Sequence, residues 1–367
     1  MRILHILNDI RELGNGIVNV AIDLACLAAK AGHEVAVVSA GGEYEKLLSI
    51  YGVKHYQLNQ DRKPLNILKA AVGYQIIVKD FQPDIVHAHM MTGLVLARIL
   101  RGGFKYALVS TVHNEFQRSS ILMGFAERVI AVSQSVAESM AQRGVPKSKL
   151  RVICNGTLGS PRNRTLSEYP PLALQHPAIV TVAGMYTRKG IAELISAFEQ
   201  IASDFPQAHL YIVGGGPDRK SFEEQAKATL FGERIHFEGF QSEPQRYLLS
   251  SEIFVLASHK DPCPLVISEA REAGCAIIGS DVDGIPEALD NGEAGILVPA
   301  KNSNALAKVL GELLRDSNAL NIWKRKASQN LDRLSATRVS QETLALYGEL
   351  LDSYPISSRA PSGATSA

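Results

Sequence analysis

Short apolar runs alternate with amphipathic stretches along nearly the whole chain, and that rhythm is compatible with few folds. Strand-like runs fall at residues 3–7, 35–39, 84–88, 107–112, 129–132 and 150–154. Helical periodicity fills the gaps at 17–31, 65–81, 92–100 and 135–143, with Gly32 closing the first of these. Strands separated by helices of this length build parallel sheets with crossover connections. The rhythm breaks between Asn155 and Gln175, where no useful period survives, and this stretch reads as a linker. It then resumes with strands at 179–183, 209–213, 235–238, 253–257, 276–279 and 295–298. Helices fall at 191–203, 218–230 and 265–273, and Leu306, Val309, Leu310, Leu313 and Leu314 mark one more helical face. The expected architecture is α/β: two doubly wound Rossmann-like domains, over residues 1–165 and 170–334, facing each other across a cleft. Ligands are usually bound in such clefts.

Composition excludes several classes. Hydrophobic residues make up 46% and charged residues 20%, as expected of a well-buried globular protein. Lys plus Arg is 38 against 37 acids, so no global field points to nucleic acid. Cys26, Cys154, Cys263 and Cys275 have neither CxxC nor metal-ligand spacing, and they read as reduced thiols of a cytoplasmic protein. Only Cys263 lies inside a candidate site. The opening residues 1–7 are strand-like and too short and polar for a signal peptide. No apolar stretch approaches the ~20 residues that span a bilayer. Residues 356–367, rich in Ser, Ala, Pro and Gly, read as a disordered tail.

The richest motif is Asp261-Pro-Cys-Pro-Leu-Val-Ile-Ser-Glu269, two carboxylates eight residues apart between a buried strand and a helix. Pro264 suits a first helical position, and the free N–H groups behind it fit a phosphate. Glu269 is placed to accept hydrogen bonds from sugar hydroxyls; the bland alternative is a solvated glutamate. Arg188 and Lys189 precede Gly190 at another helix start, where two cations oppose the dipole unless an anion lies between them; the bland alternative is two solvated surface bases. Val213-Gly-Gly-Gly-Pro217 and Gly14-Asn-Gly16 are turns in which the backbone can approach a ligand. The second resembles a dinucleotide loop, but Asn19 stands where the third glycine is needed, so a nicotinamide site ranks last. His113 ends a strand, where a polar residue points at the crevice, although a lone histidine is more often a satisfied structural residue. His87 and His89 alternate on a strand, without a third metal ligand at suitable spacing. Asp281 and Asp283 form an Asp-x-Asp that reads as loop chemistry beside an anion site, with metal binding the lesser alternative.

In order and spacing these features resemble the retaining GT-B glycosyltransferases of family GT4, over nearly the whole chain. Asp261 to Glu269 matches that family's acid-x7-acid signature, Gly184 to Gly190 its phosphate turn, and Asp283-Gly-Ile-Pro-Glu287 its Gly-rich turn near the sugar. The resemblance implies roles. Glu269 would accept from the nucleotide ribose, and Asp261 would hold the donor-sugar hydroxyls. Lys189, Arg188 and the N–H groups of Leu265 and Val266 would neutralise the diphosphate. His113 would sit at the sugar, and Gly14 and Gly16 would let the first domain close over the phosphates. Gly184, Gly215, Phe240, Pro264 and Gly284 complete the donor-binding set. The final helix, about 335–354, would cross back to the first domain.

The implied reaction moves a hexose-type sugar from a nucleotide-diphosphate donor, UDP- before GDP-, to a sugar, lipid-linked or small-molecule acceptor. No metal and no cofactor are expected, the nucleotide sugar being substrate. The pattern departs from the family in three places: Asp261 replaces the usual Glu, Gly184-Met-Tyr replaces Gly-Arg-Leu, and residues 115–127 are short. Arg188 is then the candidate replacement for the guanidinium that Met185 lacks. Alternatives are a nucleotide-sugar epimerase, which would consume donor without acceptor, and a non-catalytic sugar-nucleotide-binding protein. Arg98, Arg101 and Lys105 are the basic cluster compatible with peripheral membrane contact, against the commoner role of a solvated surface.

Overall fold

The computed structural model describes residues 1–61 and 64–353; the tail expected at 356–367 lies outside them. Strands β1 (Arg2–Ile6), β2 (Glu34–Ser39), β3 (Lys54–Gln57), β4 (Ile85–Ala88), β5 (Ala107–Val112), β6 (Arg128–Ala131) and β7 (Leu150–Val152) form one sheet. Its order is β3-β2-β1-β4-β5-β6-β7, with parallel pairing throughout. Strands β8 (Ala178–Val182), β9 (His209–Val213), β10 (Ile235–Gly239), β11 (Ile253–Leu256), β12 (Ala276–Ser280) and β13 (Ile296–Val298) form a second parallel sheet. Its order, β10-β9-β8-β11-β12-β13, repeats the first without the edge strand β7. In both sheets the direction of winding reverses after the first strand, between β1 and β4 and between β8 and β11. Loops part there to opposite faces, which leaves a crevice beyond the carboxyl ends of the strands.

Each sheet is covered on both faces, which is why its strands read as continuous apolar runs rather than alternating ones. On β1, Leu4 and Ile6 enter one core while Ile3 enters the other. The second sheet is likewise sandwiched between two cores. The helix Gly16–Lys30 starts where the Asn15 side chain accepts from the Ile17 N–H. It stops before Gly32, whose φ of +86° is a conformation that glycine adopts at no steric cost.

Differences from the periodicity reading occur where the pattern is short or polar. Strand β3 has no fully buried residue, so its Lys-His-Tyr-Gln sequence carries no apolar run. The helices Glu45–Ile50 and Gln245–Leu249 span 6 and 5 residues, too few to establish a period. The helix Ser317–Ala327 buries only Ala327 fully. Pro264 is the residue before the helix Leu265–Glu272 rather than its first member.

The stretch between β7 and β8 contains no regular strand or α-helix, yet it is fastened. Arg162 meets the Asp23 carboxylate at 2.9 and 3.0 Å, and Ser160 donates to it at 2.6 Å, all in buried surroundings. This pair ties the connection to the helix Gly16–Lys30. A Cβ on Gly156 would stand 2.2 Å from the Leu334 carbonyl oxygen, so only glycine fits that crossing. The helix Ala336–Ser353 packs on the first domain, placing Val339, Leu346, Tyr347 and Leu350 in its core.

Candidate active site

The two crevices face one another, and loops from both switch points meet between them. From the first domain comes the turn after β1. Gly14 has a φ of +67°, and a Cβ there would lie 3.6 Å from the Phe240 ring of the second domain. A Cβ on Gly16 would lie 3.5 Å from Leu265. The structure thus brings Gly14 to Phe240 and Gly16 to Leu265, pairs that are 226 (240 less 14) and 249 (265 less 16) residues apart. Gly215 adjoins them, its own Cβ position 4.0 Å from Phe240.

From the second domain come the turns after β8 and β11. Lys189 and Asp261 pair at 2.5 Å, with side chains 16% and 9% exposed. The pairing depends on Gly190: at φ +67°, a Cβ there would stand 1.8 Å from the Ala257 carbonyl oxygen. Asp261 is held from behind as well. Its N–H donates to the Asp283 carboxylate at 2.8 Å, and its carbonyl accepts from the Gly284 N–H at 3.1 Å. A Cβ on Gly284 would meet the Pro262 carbonyl at 2.0 Å. Asp283 is therefore a loop clamp, which accounts for the second acid of the Asp-x-Asp motif.

The helix Leu265–Glu272 begins at this pair. The N–H groups of Leu265 and Val266 stand in its first turn, where intrahelical acceptors do not exist. About one turn on, Glu269 is half-buried and has no side-chain hydrogen-bond partner among the described residues. Burial pushes its carboxyl up to about 7, against the pull of nearby Arg162.

Arg188 does not join Lys189 at Asp261. Its guanidinium lies 5.0 Å from the Phe116 ring of the first domain and 5.4 Å from the Tyr186 ring. It is thus a cation stacked between aromatic faces across the mouth of the cleft. Gly184 closes the adjoining turn, its carbonyl accepting from the Tyr186 N–H at 2.9 Å. Met185 is fully buried in the domain core and exchanges backbone hydrogen bonds with Gly215 and Asp218. Its side chain is a packing element, and the turn's available guanidinium is that of Arg188.

His113 follows β5 on the first-domain wall. Its Nε2 lies 3.2 Å from Nδ1 of His89, whose Nε2 lies 3.0 Å from Nδ1 of His5. Here the structure corrects the sequence reading, in which His87 and His89 lacked a third partner. His5 pairs in register with His87 between β1 and β4, and one nitrogen from each of His5, His87 and His89 lies within 4.8 Å of the other two. No local signal exposes this, because β1 and β4 are neighbours only through the sheet. The chemistry of the set does not favour a metal. His87 is committed to the Tyr347 hydroxyl at 2.6 Å and the Thr111 hydroxyl at 2.7 Å, and His89 to two imidazoles. A dication would require those nitrogens to be released, with no carboxylate in the set to offset its charge. Burial holds His5 and His113 down to about 3 and lowers His87 and His89 well below the ordinary imidazole range. All four rings are neutral.

Glu115 is the cleft residue that motif reading passed over, although it stands two positions after His113. One carboxylate oxygen is buried without a partner among the described residues. Burial raises its pKa, and Asp283 across the cleft adds to that. Cys263 is a half-buried thiol whose desolvation pushes it up to about 12, and all four cysteines are free. In the basic cluster, Arg101 is engaged by Glu127 at 2.6 Å and by the Tyr106 carbonyl, so it is a structural cation. No helix among the described residues is long and apolar enough to cross a membrane.

Comparison with known proteins gives the same outline. Residues 165–330 match the family model "Glycosyl transferases group 1", and residues 14–157 match "Glycosyltransferase Family 4". The chain is 25% identical over 357 residues to N,N'-diacetylbacillosaminyl-diphospho-undecaprenol alpha-1,3-N-acetylgalactosaminyltransferase of Campylobacter jejuni, covering 87% of this chain and 92% of that protein. It is 24% identical over 361 residues to phosphatidyl-myo-inositol mannosyltransferase of Mycolicibacterium smegmatis, covering 92% and 90%. Among solved structures, Alr3699/HepE of Anabaena in complex with UDP superposes with a TM-score of 0.80 at 19% identity, over 95% of this chain and 100% of that one. Two like-wound domains, the paired loops between them and these matches together place the chain among the group 1 glycosyltransferases, as an enzyme of GT-B fold.

Proposed function

We propose that this enzyme transfers a hexose-type sugar from a nucleotide-diphosphate donor, UDP- in preference to GDP-, with retention of anomeric configuration. The acceptor belongs to the sugar, lipid-linked or small-molecule class. The observation that carries this reading is the Lys189–Asp261 pair beside the open first turn of the helix Leu265–Glu272. A cation from the turn after β8 meets two backbone donors and a carboxylate from the turn after β11. A diphosphate takes the first two, and sugar hydroxyls take the third.

As the glycosidic bond breaks, negative charge accumulates on the leaving diphosphate. Lys189 and the N–H groups of Leu265 and Val266 stabilise it from fixed positions, with Arg188 above. Preorganised donors of this kind supply the largest share of many rate enhancements. The acceptor's proton passes to the departing phosphate oxygen on the same face as the new bond, so no second catalytic carboxylate is required, unlike hydrolases. Glu269 takes the ribose hydroxyls and Asp261 those of the sugar. The preference for UDP draws support from the Anabaena neighbour, solved with UDP and with UDP-glucose.

Calorimetric titration with UDP, GDP, ADP and NAD, first without metal and then with magnesium, tests the reading. Metal-free binding of one nucleoside diphosphate, lost in Glu269→Ala, is expected. Binding of NAD alone, or of none of the four, would overturn it. Donor consumption without any acceptor would point instead to an epimerase.

A further inference from the structure

The first-domain wall holds a continuous chain of side-chain hydrogen bonds that the reaction scheme does not use. It runs from His5 through His89 to His113, with ring centroids 5.2 and 5.5 Å apart. Both links have the same sense: Nδ1 of His5 meets Nε2 of His89, and Nδ1 of His89 meets Nε2 of His113. We propose that His89 and His5 are positioning residues that hold His113 in a single neutral tautomer, with its proton on Nδ1. This rests on the reading that His113 faces the donor sugar.

A neutral imidazole has one N–H donor and one lone-pair acceptor. Because both links join Nδ1 to Nε2, the choice at one ring dictates the others. In one arrangement every ring carries its proton on Nδ1 and donates toward His113. In the other every ring carries it on Nε2 and donates toward His5. The two differ at the ends of the chain. His5 Nε2 is buried and has no hydrogen-bond partner among the described residues. The second arrangement places an N–H there with nothing to accept it, whereas the first leaves only a lone pair. Buried orphan donors are the rarer defect in native structures. His113, by contrast, is half-buried at the cleft end.

His87 does not compete for the chain. Its two nitrogens are taken by Tyr347 and Thr111, and its ring lies against His89 at 4.1 Å between centroids. Tyr347 comes from the helix Ala336–Ser353, so that helix clamps the array from outside. Burial keeps the rings neutral, as the low values for His5 and His113 require. His113 is thereby presented to the cleft as an Nδ1–H donor, suited to an oxygen of the bound donor.

The test uses the full chain with 15N-labelled histidine and long-range proton–nitrogen correlation spectra, assigning His113 by comparison with His113→Asn. The wild type is expected to show His113 as the pure Nδ1–H form. In His5→Phe and, separately, His89→Phe, that signature is expected to give way to a mixture of tautomers. In the same variants kcat falls roughly tenfold with donor KM little changed, the size of one lost hydrogen bond to a reacting group. An Nε2–H form in the wild type overturns the proposal, and so does an unchanged His113 signature in the variants. If a variant does not fold, the wild-type spectrum still decides. UDP titration of the same sample separates this inference from the assigned function: an Nδ1–H His113 without nucleotide binding would sink the function and leave the tautomer standing.

Discussion

The two walls of the cleft occupy the same place in the same fold and are chemical opposites. Each is built at the switch point of a parallel sheet with the same order over six strands, the first sheet carrying a seventh at its edge. The second-domain wall concentrates charge: Lys189, Asp261 and Glu269 stand at the loop–helix junctions that follow the neighbouring strands β8 and β11, with Asp283 clamping from behind. The first-domain wall concentrates neutral polarity in four imidazoles, His5, His89 and His113 linked to one another and His87 to the Tyr347 and Thr111 hydroxyls, with the Glu115 carboxyl, raised by burial, as its acid. The comparison teaches that the fold supplies a crevice and the residue type at the strand ends decides what enters it. A charged wall suits a diphosphate. A neutral, hydrogen-bonding wall suits hydroxyl-rich sugar.

The contrast is broken most directly by Lys189→Ala. It removes the cation nearest the expected leaving group and strands Asp261, and kcat is expected to fall by roughly 10²–10³. Single-turnover kinetics at saturating donor check this; unchanged turnover would mean that the charged wall does not serve the leaving group. Next in size is Glu269→Ala. A hydrogen bond to a charged group contributes about 1.5–3 kcal/mol, so nucleoside affinity should drop about 10- to 100-fold by calorimetry.

The pH dependence sharpens the same comparison. Glu269 titrates at about 7 in the folded chain, above its ordinary 4.5, whereas His113 is held down near 3. Between those two Glu269 values the folded protein keeps a proton that the unfolded chain has lost. That contribution to stability is present below 4.5 and lost as pH rises through 7. A ligand that needs the carboxylate gains over the same interval. Nucleotide affinity should therefore rise as pH passes through about 7 and become flat in Glu269→Gln. Titration of affinity near 7 that persists in the Gln variant would assign the proton elsewhere.

The smallest expected effect belongs to Phe116→Ala, which removes one face of the Arg188 stack. A cation–π contact at a partly exposed site is worth about 0.5–1 kcal/mol, so donor KM should rise about twofold to fivefold with the fold intact. A larger loss, or a fall in melting temperature, would make Phe116 a structural contact between the domains rather than a brace for Arg188.

Local signals carried the second-domain wall almost entirely. Asp261, Pro264, Leu265 and Glu269 lie on one strand–turn–helix unit, and Arg188, Lys189 and Gly190 on another. Strand and helix periods, Gly and Pro placement and charge at a helix start are all properties of neighbouring residues, so the sequence by itself determined these elements, the two-domain α/β class and the charged turns. What it could not show was which strands lie side by side. His5 meets His87 only because β1 and β4 are adjacent at the winding reversal, and Tyr347 reaches them from the far end of the chain. The closure of Asp261 onto Lys189 rather than open solvent, the burial that raises Glu269, and the seating of Arg188 on Phe116 are likewise tertiary. Each depends on distance and desolvation between segments far apart in sequence, and a period of two or 3.6 residues carries no information about either.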